Sequence, residues 1–403
     1  MNILLSAYAC EPNKGSEPGV GWDWAIELAK NNNVWVITRD NNEPTISAYL
    51  KRNPEYRNEN LHFIYVGLSK KLTFWKKGRR GMRLFYMMWQ KKAVKVAKQW
   101  NEKVHFDLVQ HVTFVSYTQP TYMYKLGIPM VWGPVAGGEN IPDGIQIKMS
   151  AKERVFEKVR RISQSVALLS LSTQKTMKYS KAILVATEET MNKIPTKYQN
   201  KAKVIPAIGL SSLPKITVNK QKEDKIRIVM AGRLIYLKAF DIGVKAFLEI
   251  TDKFPNAELH ILGEGPEKQF LREVAGEYVN TQIFFDMPVQ HDAIYDYFSG
   301  FDLFINTSLH DSGCMTMMEA MSVGVPCVAI ATGGPKVLLK DFPECSIAPE
   351  SYEKCVNQLS IKMEELLQNQ DKREQLAREQ LGYAQKTFTI AAKLEKISNI
   401  YVE

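Results

Sequence analysis

Met1-Asn-Ile-Leu-Leu-Ser-Ala-Tyr8, then Ala9-Cys-Glu-Pro-Asn-Lys-Gly15-Ser-Glu-Pro-Gly19-Val-Gly21, then Trp22-Asp-Trp-Ala-Ile-Glu-Leu-Ala-Lys30 is the stretch that decides the fold. Residues 1–8 are a short apolar run of the kind that becomes a strand buried on both faces. Gly15, Pro18, Gly19 and Gly21 place a loop next, and Trp22–Lys30 reads as a helix. Strand, glycine-rich turn and helix in that order open a doubly wound α/β domain.

The alternation continues outward from that start. Apolar strand candidates follow at Val34–Thr38, Leu61–Val66, Leu108–Val112, Met130–Trp132 and Ala182–Ala186, separated by helix-length spacers. A polar, lysine-containing stretch with Pro214 spans Ser211–Asp224 and reads as a linker. The pattern then restarts, with strands at Ile226–Ala231, Glu258–Leu262, Ile283–Phe285, Leu303–Asn306 and Pro326–Ile330. From Ser351 onward the chain is charged, proline-free and rich in helix formers, which predicts one or two terminal helices. The reading is α/β with two domains: 1–210, 211–385, and a terminal helix over 386–403 that can cross back to the first.

Composition narrows the class. At 403 residues, 45% hydrophobic and 24% charged, the chain is ordinary globular protein, too long for one core. No apolar run reaches the roughly 18 residues of a membrane span, and Met1–Cys10 lacks a basic leader followed by a long apolar segment. The expectation is a mature cytoplasmic chain. Five cysteines, none at zinc or redox spacing, argue against disulfides and structural zinc. The formal charge of +10 is uneven: residues 1–200 hold 30 Lys/Arg against 16 Asp/Glu, and residues 201–403 hold 23 against 27. The basic half points to an anionic partner, such as phospholipid head groups, a lipid-linked phosphate or nucleic acid.

Three constellations carry chemistry. Gly232-Arg233-Leu234 closes a strand, and Lys238 follows where a helix should begin. Two cations at the C-terminal edge of a parallel sheet make a cradle for a diphosphate; two solvated charges at a helix start are the plainer alternative. Asp311-Ser-Gly-Cys-Met-Thr-Met-Met-Glu319 places two carboxylates eight residues apart. With Gly313 in a loop that opens a helix, Glu319 can accept ribose hydroxyls and the amides of Ser312–Met315 can meet an anionic leaving group. An amphipathic helix with an acidic start accounts for the same residues. Lys70–Lys103 holds 12 Lys/Arg and one acid, with Phe85, Trp89, Ala93, Val96 and Trp100 on one helical face and Lys91, Lys95 and Lys98 on its flank. That face suits an anionic membrane interface, or else packs on its own domain. Nucleic acid is set aside because no recognition motif accompanies the charge.

Taken together, Gly232-Arg-Leu with Lys238 and Asp241, Leu259-His-Ile-Leu-Gly-Glu-Gly-Pro266, and Asp311–Glu319 with Gly324-Val-Pro326 resemble retaining glycosyltransferase family 4 of the GT-B fold. Ala9–Trp22 and Val131-Trp-Gly-Pro-Val-Ala-Gly-Gly138 are similar to segments of a subgroup. The resemblance implies two Rossmann-like domains facing a central cleft and retaining transfer from a nucleotide-sugar donor, UDP-linked, to a glycan or lipid-linked acceptor. The setting it implies is cell-surface polysaccharide or glycolipid synthesis, with the protein in the cytoplasm, peripheral on the inner face of the membrane. Position by position, it assigns Arg233 and Lys238 to the diphosphate, Glu319 to the ribose, and Ser312, Gly313, Cys314 and Met315 to the sugar and phosphates. His111 and Asp311 go to the donor sugar, and Gly15, Ser16, Gly19 and Gly21 to a donor loop. Two departures stand out: Asp311 replaces the family's first glutamate, and the usual Gly-Gly-x-x-Glu segment reads Gly333-Gly-Pro-Lys336.

No Asp-x-Asp pair is available to bring Mg²⁺ or Mn²⁺ to the diphosphate, so metal-independent transfer without a cofactor is expected. Gly15, Gly19 and Gly21 do not make Gly-x-Gly-x-x-Gly, which removes the main support for a dinucleotide-dependent oxidoreductase. A nucleotide-sugar epimerase on the same fold and a non-catalytic glycosyltransferase-like subunit remain the alternatives.

Overall fold

The computed structural model describes residues 1–69, 71, 74, 75, 78, 81–114, 116–214, 225–290 and 293–402, and of Ser16 the backbone only. Most of the expected linker, 215–224, and seven residues of the basic stretch between Lys70 and Arg80 lie outside the described residues. The chain divides into two compact units: Met1–Gly138, Glu157–Ile208 and Lys393–Glu403 form the first, and Glu139–Phe156 with Gly209–Ala392 the second. Residues 139–156, read from sequence as part of the first domain, therefore group with the second, where Ile141 and Ile145 join its core.

The first unit is built on seven parallel strands: β1 (Asn2–Ser6), β2 (Asn33–Arg39), β3 (Leu61–Val66), β4 (Leu108–His111), β5 (Met130–Val135), β6 (Ala182–Val185) and β7 (Ala202–Val204). Their order is β3-β2-β1-β4-β5-β6-β7. Ile3, Leu4 and Leu5 are fully buried, as a central parallel strand covered on both faces requires. The winding reverses between β1 and β4, whose register pairs Ser6 with His111. The helices include α1 (Ser16–Ala29), α2 (Glu43–Arg52), α3 (Met82–Val104), α4 (Ala151–Leu169), of which the first unit holds Glu157 onward, and α5 (Leu171–Tyr179).

The second unit repeats the scheme with β8 (Ile226–Ala231), β9 (Ala257–Leu262), β10 (Ile283–Asp286), β11 (Leu303–Asn306), β12 (Cys327–Ile330) and β13 (Ser346–Ile347). The order is β10-β9-β8-β11-β12-β13, all parallel, and the reversal falls between β8 and β11. Its helices include α6 (Phe240–Leu248), α7 (Lys268–Ala275), α8 (Met315–Ser322), α9 (Gly333–Leu338), α10 (Tyr352–Gln368) and α11 (Gln370–Thr387); α12 (Ile390–Val402) ends the described chain.

Where one or two terminal helices were expected there are three, because short polar side chains stop and restart the helix. The Ser351 hydroxyl accepts from the Lys354 amide (3.3 Å), the Asn369 side chain from Lys372 (2.9 Å), and Thr389 from Ala392 (3.1 Å). Within α12, Tyr401 donates to Gln110 Oε1 on β4 (2.8 Å), which ties that helix to the first sheet. All five cysteines are unpaired and buried, Cys10 in the first unit and Cys314, Cys327, Cys345 and Cys355 in the second. No described helix is long and apolar enough to cross a membrane.

Candidate functional site

In an open parallel sheet the loops leaving the C-terminal ends of the strands at the reversal point form a natural crevice. In the second unit those loops follow β8 and β11, and they carry the two constellations read from sequence. After β8, Gly232 turns the chain at φ +150°, and the Lys238 side chain runs past its vacant face, its Cε 4.0 Å from where a Cβ would stand. Lys238 does not open a helix as expected. It ends a short 3-10 turn, Tyr236–Lys238, and Ala239, at φ +43°, separates that turn from α6. The Lys238 carbonyl accepts from the Thr307 hydroxyl (2.9 Å), and the Leu309 amide donates to the Leu237 carbonyl (3.0 Å), so the two loops are stitched together.

That stitching places the Lys238 ammonium against Asp311, to which it donates a hydrogen bond within an ion pair. The other carboxylate oxygen of Asp311 accepts from the amides of Gly313 (3.0 Å) and Cys314 (3.2 Å). Burial alone would raise the Asp311 pKa. The Lys238 charge and hydrogen bond, with the two amides, outweigh it and hold the carboxyl below its ordinary value, so Asp311 stays ionised. Cys314, left-handed at φ +50°, then caps α8, and the Thr316 hydroxyl reaches the Ala231 carbonyl at the end of β8 (3.3 Å). Ser312 and Met315 flank this turn.

Glu319 lies on α8, buried among Met317, Met318 and Met321. Burial pushes its carboxyl up to about 7. Arg233 is exposed at the same strand end, so of the two expected diphosphate ligands one is ion-paired and one is presented to solvent. Sequence reasoning missed Glu139. It is buried, and its Cγ is 3.2 Å from the place a Cβ would take on Gly333, itself 2.3 Å from the Asp311 carbonyl. Gly333, at φ +48°, therefore has neither the conformation nor the room for a side chain. An acid directly after Gly137-Gly138 was the available signal, obscured because it belongs to the second unit.

Residues 214–381 match the family model described as glycosyl transferases group 1, a range that contains every group of this site except Glu139. Over those residues the chain is similar to the group 1 glycosyltransferases. A Homo sapiens subunit of phosphatidylinositol N-acetylglucosaminyltransferase is 31% identical over 146 residues, 34% of this chain and 30% of that protein. The chain spans less than half the length of the relatives it matches in sequence. Among solved structures, the lipopolysaccharide outer core galactosyltransferase WaaB aligns over 100% of this chain and 99% of its own, with a TM-score of 0.65 at 15% identity. The Anabaena protein HepE, in complex with UDP and glucose, aligns over 99% and 98% with a TM-score of 0.59 at 14% identity. These likenesses establish the GT-B fold.

The reversal point of the first unit is differently furnished. Helix α1 begins at Ser16, six residues earlier than read from sequence, so Gly19 and Gly21 are in its first turns and not in a loop. A Cβ on Gly19 would meet the Lys14 carbonyl at 2.0 Å, and one on Gly21 the Ala9 carbonyl at 2.1 Å; close packing is what requires the glycines. Gly15 caps the helix. His111, at the end of β4, is buried, with Nδ1 3.0 Å from Ser6 Oγ and Nε2 3.3 Å from the Tyr86 hydroxyl. Desolvation lowers its pKa to about 3, so the ring is neutral. Arg39, which the sequence reading did not single out, lies 4.5 Å over the Tyr8 ring at the end of β2.

The surroundings of α3 correct the expectation that its aromatic face meets a membrane. Trp89 and Ala93 are buried in the first unit's core, Phe85 and Val96 pack against it, and Trp89 donates to the Val66 carbonyl (2.8 Å); Trp100, the last residue of that face, is exposed. Lys91, Lys95 and Lys98 stay exposed on the opposite flank. The helix is amphipathic because it covers its own sheet, and its lysines are a solvated face.

Proposed function

We propose that the chain transfers a sugar from a nucleotide-sugar donor, UDP-linked, to a glycan or lipid-linked acceptor, in the synthesis of a cell-surface polysaccharide or glycolipid. The observation that carries this reading is the Lys238–Asp311 pair at the reversal point of a group 1 domain. HepE, similar in fold, holds UDP and glucose, and the human relative is named for N-acetylglucosaminyl transfer to phosphatidylinositol; both support the substrate class.

On this reading the diphosphate takes up the Lys238 ammonium and the exposed Arg233 guanidinium, with backbone amides of the Ser312–Met315 turn completing the anion's surroundings. Asp311, ionised and fixed by two amides, accepts hydrogen bonds from the donor sugar, while Glu319 accepts them from the ribose. The bond between the anomeric carbon and the diphosphate oxygen breaks with its electron pair on the phosphate. The acceptor oxygen attacks the same face of the sugar, and its proton passes to the departing phosphate, so configuration is retained. Lys238 and Arg233 offset the charge on the leaving group, and no divalent metal is required. His111, kept neutral, supplies no proton.

Incubation with UDP-glucose, UDP-galactose and UDP-N-acetylglucosamine, with and without glycan and lipid acceptors, tests it. UDP release should depend on acceptor, persist in EDTA, and give the donor's anomer by NMR. A new sugar isomer formed without acceptor would identify an epimerase. Loss of activity in EDTA that Mn²⁺ restores, or an inverted product, would overturn the mechanism.

A further inference from the structure

Helix α4 is built inside out. Its side toward the protein carries Glu157, buried and ion-paired with Arg160 (2.7 Å), and Gln164, which donates to the Gly137 carbonyl (2.6 Å). From Glu157 onward, where the helix belongs to the first unit, its outward side carries Val159, Ile162, Val166 and Leu169, and Leu171 at the start of α5 continues it; these side chains are 56–80% exposed. The spacing 159, 162, 166, 169 keeps the apolar residues in one unbroken stripe. A helix normally buries such a stripe, and an apolar patch this continuous marks a surface that meets something apolar.

The charges around it say what. Lys158 and Arg161 are exposed on the first unit's part of α4, and Lys175 and Lys178 on α5; the acid of that part of α4, Glu157, is buried and paired with Arg160. Two copies of so uniformly basic a helix would repel each other at their flanks. An anionic, apolar-backed layer would not. At the C-terminal end of the stripe, Leu169, Leu171, Gln174, Lys175, Lys178, Tyr179, Lys197 and Tyr198 enclose a hollow of about 430 Å³. Three lysines with two tyrosines beside exposed leucines match a phosphate head group whose acyl chains lie along the leucines.

We infer that the first unit docks on an anionic lipid bilayer through α4 from Glu157 onward and through α5, with the apolar stripe at the acyl boundary and a lipid phosphate in the Lys175–Lys178–Lys197 hollow. The inference goes beyond the transfer reading and does not rest on it. The test uses the full chain without donor and vesicles of phosphatidylcholine with or without phosphatidylglycerol. Co-sedimentation should require the anionic lipid and weaken with salt, since the lysines act over a Debye length of about 10 Å at 0.1 M. Val159→Ser/Ile162→Ser/Val166→Ser and Lys175→Glu/Lys178→Glu/Lys197→Glu should each reduce binding tenfold or more. Lys91→Glu/Lys95→Glu/Lys98→Glu on α3, an equal change of charge elsewhere, should leave most of it. A fluorescent reporter, Val166→Trp, should shift to the blue only on anionic vesicles. Unchanged fluorescence, equal binding by all three triple variants, or a stripe variant that converts a dimer to a monomer in light scattering while still binding vesicles would overturn the inference, the last in favour of a second copy.

Discussion

The two reversal points occupy the same place in the same fold and are chemically opposite. Between β1 and β4 the polar groups at the strand ends are neutral: a desolvated histidine between two hydroxyls, beside the capped start of α1. Between β8 and β11 they are an ion pair, in which the Lys238 ammonium helps hold the Asp311 carboxyl ionised despite burial. Topology supplies the crevice in both units, and what each can hold depends on whether burial is compensated by an opposite charge. A site for a diphosphate needs charge, which is why the proposed reading assigns the donor to the second reversal point. The first offers shape and neutral hydrogen bonds.

The contrast can be broken most directly at Lys238. Lys238→Ala should lower kcat by about 10² or more, through loss of charge on the leaving group, with Arg233→Ala somewhat milder. Near-native turnover in both folded variants would end the assignment. A tenfold effect is expected at Glu319, whose ionised form is the proposed ribose acceptor. Because its carboxyl titrates near 7, UDP affinity should rise with pH through that value, with a proton released on binding. Glu319→Gln should bind UDP about tenfold more weakly at pH 8 and show little of that dependence; calorimetry in two buffers of different ionisation enthalpy measures both.

The neutral side is sharpened by stability instead of rate. His111 has a folded pKa well below its ordinary 6.5, so the unfolded chain binds more protons between about 3 and 6.5. Its contribution is complete above 6.5 and lost as pH falls, by about 1–2 kcal/mol at pH 5. His111→Gln should remove that part of the slope in urea unfolding of the first unit between pH 7 and pH 5; an unaltered slope would mean the ring is not held neutral. The smallest effect is expected from Asp311→Glu, which keeps the charge and lengthens the reach. It should change relative use of donor sugars a few-fold and leave UDP affinity nearly constant.

The central strands are legible because a strand covered on both faces must be apolar throughout: β8 and β11 have the bounds that their apolar runs mark. β7 and β13 escape because edge strands of three and two residues, one containing Lys203, carry no such run. The start of α1 is hidden because glycine in sequence signals a turn, whereas Gly19 and Gly21 answer to carbonyls packed against them. Lys238 and Asp311 each stand out in the sequence, yet their pairing, 73 residues apart, depends on strand order and not on spacing. Periodicity likewise shows that α3 has an apolar face without showing what covers it, and the uncovered face belongs to α4, whose pattern is no different in kind.

The buried thiols turn this molecule into its own reporter of opening. Burial raises the pKa of Cys10, Cys314 and Cys327, leaving little thiolate to react in the closed protein. Alkylation therefore waits on local or global unfolding, and each modified peptide carries the address of the unit that opened. Cys10 timestamps the neutral half, and the four thiols of residues 314–355 timestamp the charged half. A ligand that slows the second clock and not the first would have declared, with no catalysis at all, which half received it.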